Sequence, residues 1–107
     1  MIYCIDVDGT LCTTTTNQEY HKAVPIMDVI AAVNRLYKEG HYIKIFTARG
    51  MDSGKDFKEL TKKQLKEWNV KHHILIMNKP AADVYVDDKC CSIDDFTSKT
   101  FRGKWVS

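Results

Sequence analysis

The sequence predicts an α/β fold with a central, mostly parallel sheet flanked by helices, and three observations predict it. Short apolar runs alternate with amphipathic stretches in the order strand, helix, strand, helix, strand, which is the pattern of crossover-connected parallel strands. The first run, Ile2-Tyr3-Cys4-Ile5, is apolar throughout rather than alternating, as expected of a strand covered on both faces. The polar residues with chemical potential gather after the strands: Asp6 and Asp8 after the first, Thr47 after the second, Asp87 and Asp88 after the fourth. In open α/β sheets ligands sit beyond those carboxyl ends.

The elements follow in order. Residues 2–7 form the first strand. Residues 9–24 lack an amphipathic period, and Thr13-Thr14-Thr15-Thr16-Asn17 is polar and turn-prone, so this stretch reads as a loop beside the site. Pro25 is a favoured first-turn residue, and Ile26, Val29, Ile30, Val33, Leu36 and Tyr37 recur at helical spacing until Gly40 ends the first helix. Residues 42–47 form the second strand, and the loop 48–54 carries Gly50 and Gly54. A second helix over about 55–69 places Phe57, Leu60, Leu65 and Trp68 on one face and lysines on the other. Residues 74–77 and 84–86 read as third and fourth strands, 93–96 as a helical turn and 101–106 as a short edge strand.

Length and composition narrow the classes. A chain of 107 residues holds one core, so a single domain spans 1–107. With 44% apolar and 28% charged residues it is an ordinary globular chain. No apolar stretch approaches the ~18 residues of a membrane span. Met1-Ile2-Tyr3-Cys4 shows no charged leader and no cleavage site, so the expected location is cytoplasmic. The net charge of +2 argues against nucleic acid as the partner, and Lys55, Lys58, Lys62, Lys63 and Lys66 are interleaved with Asp56, Glu59 and Glu67, as on a solvated helix face. Cys4, Cys12, Cys90 and Cys91 have neither zinc nor disulfide spacing and read as reduced thiols. His21, His41, His72 and His73 show no metal spacing with the aspartates and read as surface or loop residues.

Asp6 and Asp8, two apart on an extended chain, point to the same side about 6–7 Å apart. Two carboxylates that close repel unless one holds a proton or a cation lies between them. The alternative is a plain strand end turning through Asp-Gly. Arg49, just past Thr47, has two readings of equal weight: a bidentate grip on phosphate or a substrate carboxylate, or a salt bridge to one of the chain's own aspartates.

Asp6-Val7-Asp8-Gly9-Thr10, Phe46-Thr47-Ala48-Arg49-Gly50, Asn78-Lys79-Pro80 and Val86-Asp87-Asp88-Lys89 resemble, in order, the four motifs of the haloacid dehalogenase superfamily, most of whose members are Mg²⁺-dependent phosphatases. The resemblance covers residues 6–88 and implies a Rossmann-like core. It assigns Asp6 as the nucleophile that forms an aspartyl-phosphate and Asp8 as the acid that protonates the leaving oxygen and then activates water. Thr47 and Lys79 would bind the phosphoryl group, with Lys79 also paired to Asp6 and Lys55 or Lys58 as substitutes. The metal would be Mg²⁺ on Asp6, the Asp8 carbonyl and Asp87, with Asp88 bound through water or behind the ligands.

Neither residues 11–24 nor 48–73 leave room for a cap domain, so the chain is similar to the capless group. Open sites of that group accept large substrates or are closed by a neighbouring subunit in a homo-oligomer. The analogy points to a small phosphorylated substrate such as a sugar phosphate. Two alternatives stand. Arg49-Gly50, Ser53-Gly54-Lys55 and the lysine-rich helix resemble polynucleotide 3′-phosphatase domains, though stacking aromatics are missing there. A non-catalytic binding module or a phosphoacceptor receiver also combines Asp, Thr, Lys and Mg²⁺. Receivers place the lysine after the last strand, whereas here Asp87-Asp88 follows Lys79, and a dead phosphatase would be expected to lose Asp6 or Asp8.

Overall fold

The computed structural model describes residues 1–51 and 53–98. Three parallel strands, β1 (Ile2–Asp6), β2 (Tyr42–Phe46) and β3 (Ile74–Ile76), form one sheet in the order β1-β2-β3. The register sets Asp6 opposite Phe46 and Phe46 opposite Ile76, so all three strands end at one edge. Each crossover is helical: α1 (Met27–Lys38) joins β1 to β2 and α2 (Lys58–Glu67) joins β2 to β3. A short α3 (Ile93–Thr97) packs on α1.

Local chemistry explains the helix ends. Gly40, at φ +96°, lets the chain reverse after α1, and His41 N–H closes the turn on the Leu36 carbonyl at 3.1 Å. Asn69 does the same for α2 at φ +56°, with Val70 N–H bonding the Leu65 carbonyl at 2.9 Å. Ser92 caps α3, its hydroxyl accepting the Asp95 N–H at 3.1 Å. That cap delivers Phe96 into the core, where its ring meets Tyr3 with centroids 6.2 Å apart. The expected strand over 101–106 lies outside the described residues.

The core contains Tyr3, Ile5 and Val7 from β1 and its exit, Val29, Val33 and Leu36 from α1, Ile43 and Ile45 from β2, and Leu65 from α2. Two expectations are corrected. The first strand is covered on one face, not both: Tyr3 and Ile5 are buried while Ile2 and Cys4 are exposed. Residues 84–86 do not form a fourth strand; Val84 and Val86 are 72% and 94% exposed. Tyr85 gives the reason. Its ring lies 4.0 Å from Lys79 Nζ and its hydroxyl donates to the Pro80 carbonyl, so the segment folds back on residues 79–80 rather than extending beside β1.

Among the described residues no helix is long and apolar enough to cross a membrane.

Candidate active site

The chain leaves β1 through Val7, which is fully buried, and turns at once. The Val7 carbonyl accepts the N–H groups of Thr10, Leu11 and Cys12 at 3.2, 2.9 and 3.2 Å, and Gly9 takes φ +81° to make this possible. Leu11 and Cys12 are thereby driven into the core with no exposed surface. Burying a leucine side chain stabilises by roughly 1.5–3 kcal/mol, which pins the start of a loop whose polar composition alone gives no such anchor. The result is a rigid bend that turns both Asp6 and Asp8 toward one cleft of about 550 Å³.

Asp6 is held from two directions. Its Oδ1 accepts the Val7 N–H at 2.8 Å, and its Oδ2 lies 3.1 Å from Lys79 Nζ. Lys79 reaches that position because the pairing of β2 with β3 continues past their ends: Thr47 N–H donates to the Ile76 carbonyl at 3.0 Å and Lys79 N–H to the Thr47 carbonyl at 3.1 Å. The ammonium then lies between two rings, 4.5 Å from the centroid of Phe46 and 4.0 Å from that of Tyr85.

Asp8 is clamped by Arg49. The guanidinium donates through Nε to Oδ2 at 2.9 Å and through Nη2 to Oδ1 at 2.8 Å, a bidentate pair in which the arginine side chain is wholly buried. Of the two readings the sequence leaves for Arg49, the ion pair to an aspartate of the chain is the one formed. Nη1 is held from α2 by Thr61 Oγ1 at 3.1 Å and Gln64 Oε1 at 2.5 Å. Cys12 Sγ lies 3.5 Å from Asp8 Oδ1, and burial first, with the Asp8 carboxylate second, pushes its thiol up to about 12.

The other expected residues are placed less uniformly. Thr47 is 1% exposed and does not line the cleft; its hydroxyl accepts the Arg49 N–H at 3.1 Å and so ties the turn after β2 instead of facing a phosphate. Lys55 and Lys58 do not line the cleft either, and Lys79 is the lysine brought to Asp6. Asp87 and Asp88 are exposed and are not brought to Asp6 and Asp8, because the segment that carries them is not paired beside β1. The Lys89 N–H, bonded to Asp87 at 2.8 Å, holds the Asp87 carboxyl below the usual carboxylate range. Among the described residues no three His, Cys, Asp or Glu side chains come together as a metal-binding group.

The cleft also exposes residues that the sequence did not single out. Asp83 lines it, and so does Thr15, whose buried hydroxyl has no hydrogen-bond partner among the described residues. The threonine run was visible as polar loop, but nothing in its composition distinguishes Thr15 from its neighbours. Gln64, in the middle of a lysine-rich helix, gave no signal beyond being a polar residue among the apolar positions of the inner face.

No protein-family model and no curated protein matches the chain. Solved structures do. A structural-genomics target from Vibrio cholerae superposes with a TM-score of 0.84 over 92% of this chain and 89% of that one, at 24% identity. A Pnkp1/Rnl/Hen1 complex aligns with a TM-score of 0.58 at 17% identity, with 92% of this chain spanning 34% of that one. D,D-heptose 1.7-bisphosphate phosphatase from B. bronchiseptica, complexed with magnesium and phosphate, aligns with a TM-score of 0.54 at 13% identity, over 88% of this chain and 59% of that one. At these identities the likeness establishes a shared fold: an α/β core with a parallel sheet.

Proposed function

We propose that the chain is a Mg²⁺-dependent phosphomonoesterase of the haloacid dehalogenase type, acting through an aspartyl-phosphate on a small phosphorylated metabolite such as a sugar phosphate. The observation that carries this reading is the pair of differently partnered carboxylates, Asp6 on Lys79 and Asp8 on Arg49, facing one cleft at the carboxyl end of the sheet. Two aspartates in distinct environments suit two distinct chemical tasks. The fold shared with a phosphatase is consistent with it.

In this reading the Asp6 carboxylate attacks phosphorus, forming an O–P bond as the P–O bond to the leaving group breaks, and Asp8 transfers its proton to the departing alkoxide to give the alcohol. Water then attacks the aspartyl-phosphate, Asp8 takes back the proton, and breakage of the Asp6–phosphorus linkage releases orthophosphate. Lys79 orients Asp6 and offsets charge on the phosphoryl oxygens. The donor set fits Mg²⁺ in kind and falls short in number: the Asp6 carboxylate and the Asp8 main-chain carbonyl are hard oxygens of the type it takes, together with waters and a phosphate oxygen, while Asp87 and Asp88 lie elsewhere. When bound there, Mg²⁺ would supply neutralisation of phosphoryl charge.

The polynucleotide alternative is disfavoured by where the lysines lie. Lys62 and Lys66 of α2 border a separate hollow with Tyr37 and Lys71, not the cleft of Asp6 and Asp8. Hydrolysis of p-nitrophenyl phosphate by the wild type, its loss on chelation with return on added Mg²⁺, and its loss in Asp6→Asn with an unchanged circular dichroism spectrum are the expected results. Turnover by Asp6→Asn at the wild-type rate, with contaminating phosphatase removed, defeats the assignment of the nucleophile.

A further inference from the structure

We propose that Arg49, itself held by Thr61 and Gln64 of α2, is a positioning residue that fixes the Asp8 carboxylate so that its Oδ2 is the oxygen left to exchange a proton with the leaving group. The proposal rests on the phosphatase reading of the same cleft.

A guanidinium carries five N–H donors in a rigid fork. Around Arg49 there is an acceptor for each: Asp8 Oδ2 for Nε, Thr61 Oγ1 and Gln64 Oε1 for Nη1, and Asp8 Oδ1 and Cys12 Sγ, at 2.8 and 3.8 Å, for Nη2. The Tyr20 ring covers the guanidinium, 4.6 Å from Cζ to centroid. Nothing of Arg49 is left over for a phosphate. The acceptors on α2 are themselves fixed. The Thr61 hydroxyl donates to the Phe57 carbonyl at 2.8 Å, and Gln64 Nε2 donates to the Tyr20 carbonyl at 2.7 Å, which leaves Gln64 Oε1 turned to the arginine. One oriented chain therefore runs from the Tyr20 backbone through Gln64 and Arg49 to Asp8, crossing from helix to strand end.

That chain treats the two oxygens of Asp8 differently. Oδ1 takes the Nη2 bond and has the fully buried Cys12 sulfur packed 3.5 Å away, whereas Oδ2 takes only the Nε bond at 2.9 Å. A carboxylate offers about four lone-pair positions, and the open one belongs to Oδ2. Gln64 does not line the cleft; it reaches it through the two neighbours it holds, the Arg49 guanidinium and the Tyr20 carbonyl, and of these Arg49 is the one bonded to Asp8.

The test compares Gln64→Leu and Arg49→Lys with the wild type on two substrates with Mg²⁺ present. One is p-nitrophenyl phosphate, whose leaving group departs without a proton, and the other is glycerol 2-phosphate, an alkyl ester that needs one. General acid catalysis contributes about 10²–10⁴-fold. The expected result for Gln64→Leu is a fall in kcat of about tenfold or more on the alkyl ester, a fall of no more than about threefold on the aryl ester, and KM held within about twofold for both; Arg49→Lys shifts the same ratio further. Equal losses on both substrates make Arg49 a structural support only and overturn the proposal. A tenfold rise in KM with kcat held makes it a phosphate ligand and overturns it equally. Gln64→Leu removes no charge and keeps the test usable where Arg49→Lys does not fold. If the wild type hydrolyses neither substrate, the phosphatase reading fails; the clamp is then judged by the Arg49 Nε–H resonance in ¹⁵N NMR, which is protected from exchange and loses protection in Gln64→Leu if the clamp holds, and is unprotected in the wild type if it does not.

Discussion

Replacing Asp8 by Asn tests the Asp8–Arg49 pair as a structural element, apart from any chemistry. The substitution keeps one acceptor oxygen but sets an amide N–H₂ against the other arginine donor, and it leaves a cation that has no exposed surface without its counter-ion. Breaking a buried pair by removing one partner costs about 3–5 kcal/mol. The Asp8 side chain is 23% exposed, so water recovers part of this and about 2–4 kcal/mol is expected. At about 2.1 cal/mol/K per residue, a chain of 107 residues has an unfolding entropy near 0.2 kcal/mol/K, and the melting temperature should fall by roughly 10–20 °C. Urea unfolding of Asp8→Asn, Arg49→Met and the double variant then gives the coupling. The double variant should be less destabilised than the sum of the singles by about 2 kcal/mol, because it leaves no unpaired charge behind. Additive singles, or an Asp8→Asn melt within about 2 °C of wild type, would refute the reasoning.

Two further outcomes follow from single positions. A Cβ at Gly50 would lie 2.1 Å from the Lys55 carbonyl oxygen at φ +84°, whereas Gly54 at φ +73° has open space around it; Gly50→Ala should therefore lower the melting temperature by several degrees more than Gly54→Ala, whose cost is the ~1 kcal/mol backbone component alone, and equal melts would show that the close approach is not maintained. Cys12, with its thiol raised from 9.0 to about 12, stays protonated in the folded chain while the unfolded chain ionises, so folding holds the extra proton and stability falls as pH rises from about 9 toward 12. Urea titrations at pH 8 and pH 10.5 should show a smaller decline in Cys12→Ala than in wild type; identical declines would remove Cys12 from the account.

What could be read from the residues, and what could not, divides along sequence separation. Asp6 and Asp8 sit two apart after an apolar run, so their nearness was visible at once, whereas the turn through Val7 and Gly9 that aims both at the cleft was not. The three strands, both crossover helices and the helical turn near residue 93 follow from periodicity, Gly40 and the lysine face, whereas Pro25, expected in the first turn of α1, lies before its start at Met27 and bridges to Cys12 instead. Lys79 is 73 positions from Asp6, and its pairing came from the order of motifs, not from any local pattern. Thr61 and Gln64 were invisible as site residues because what gives them a role is the guanidinium they meet, 12 and 15 positions away. Val84-Tyr85-Val86 misled for the opposite reason: β-branched and aromatic residues fit a strand, yet one ring found a cation, and that contact holds the segment away from the sheet.

Arg49 shows how burial decides between chemically equivalent readings. A guanidinium beside a candidate phosphate site can serve the ligand or the scaffold, and the residue type suits both. The choice is made by α2, which offers two neutral oxygen acceptors one helical turn apart, at Thr61 and Gln64, on the face that packs inward. Had those positions been apolar, Nη1 would lack partners inside the protein and the arginine would gain by turning toward solvent or an anion. With them in place, all five donors are met internally and the cation is committed to Asp8. The division of labour in the cleft then follows from which cation each aspartate received: Asp6 has a lysine, a single point charge set between two rings at the border of the cleft, while Asp8 has a planar fork whose donors are all engaged inside the protein. The carboxylate placed to meet phosphorus is thus paired with a point charge that also borders the cleft, and the one whose direction matters most is tied to the rigid plane.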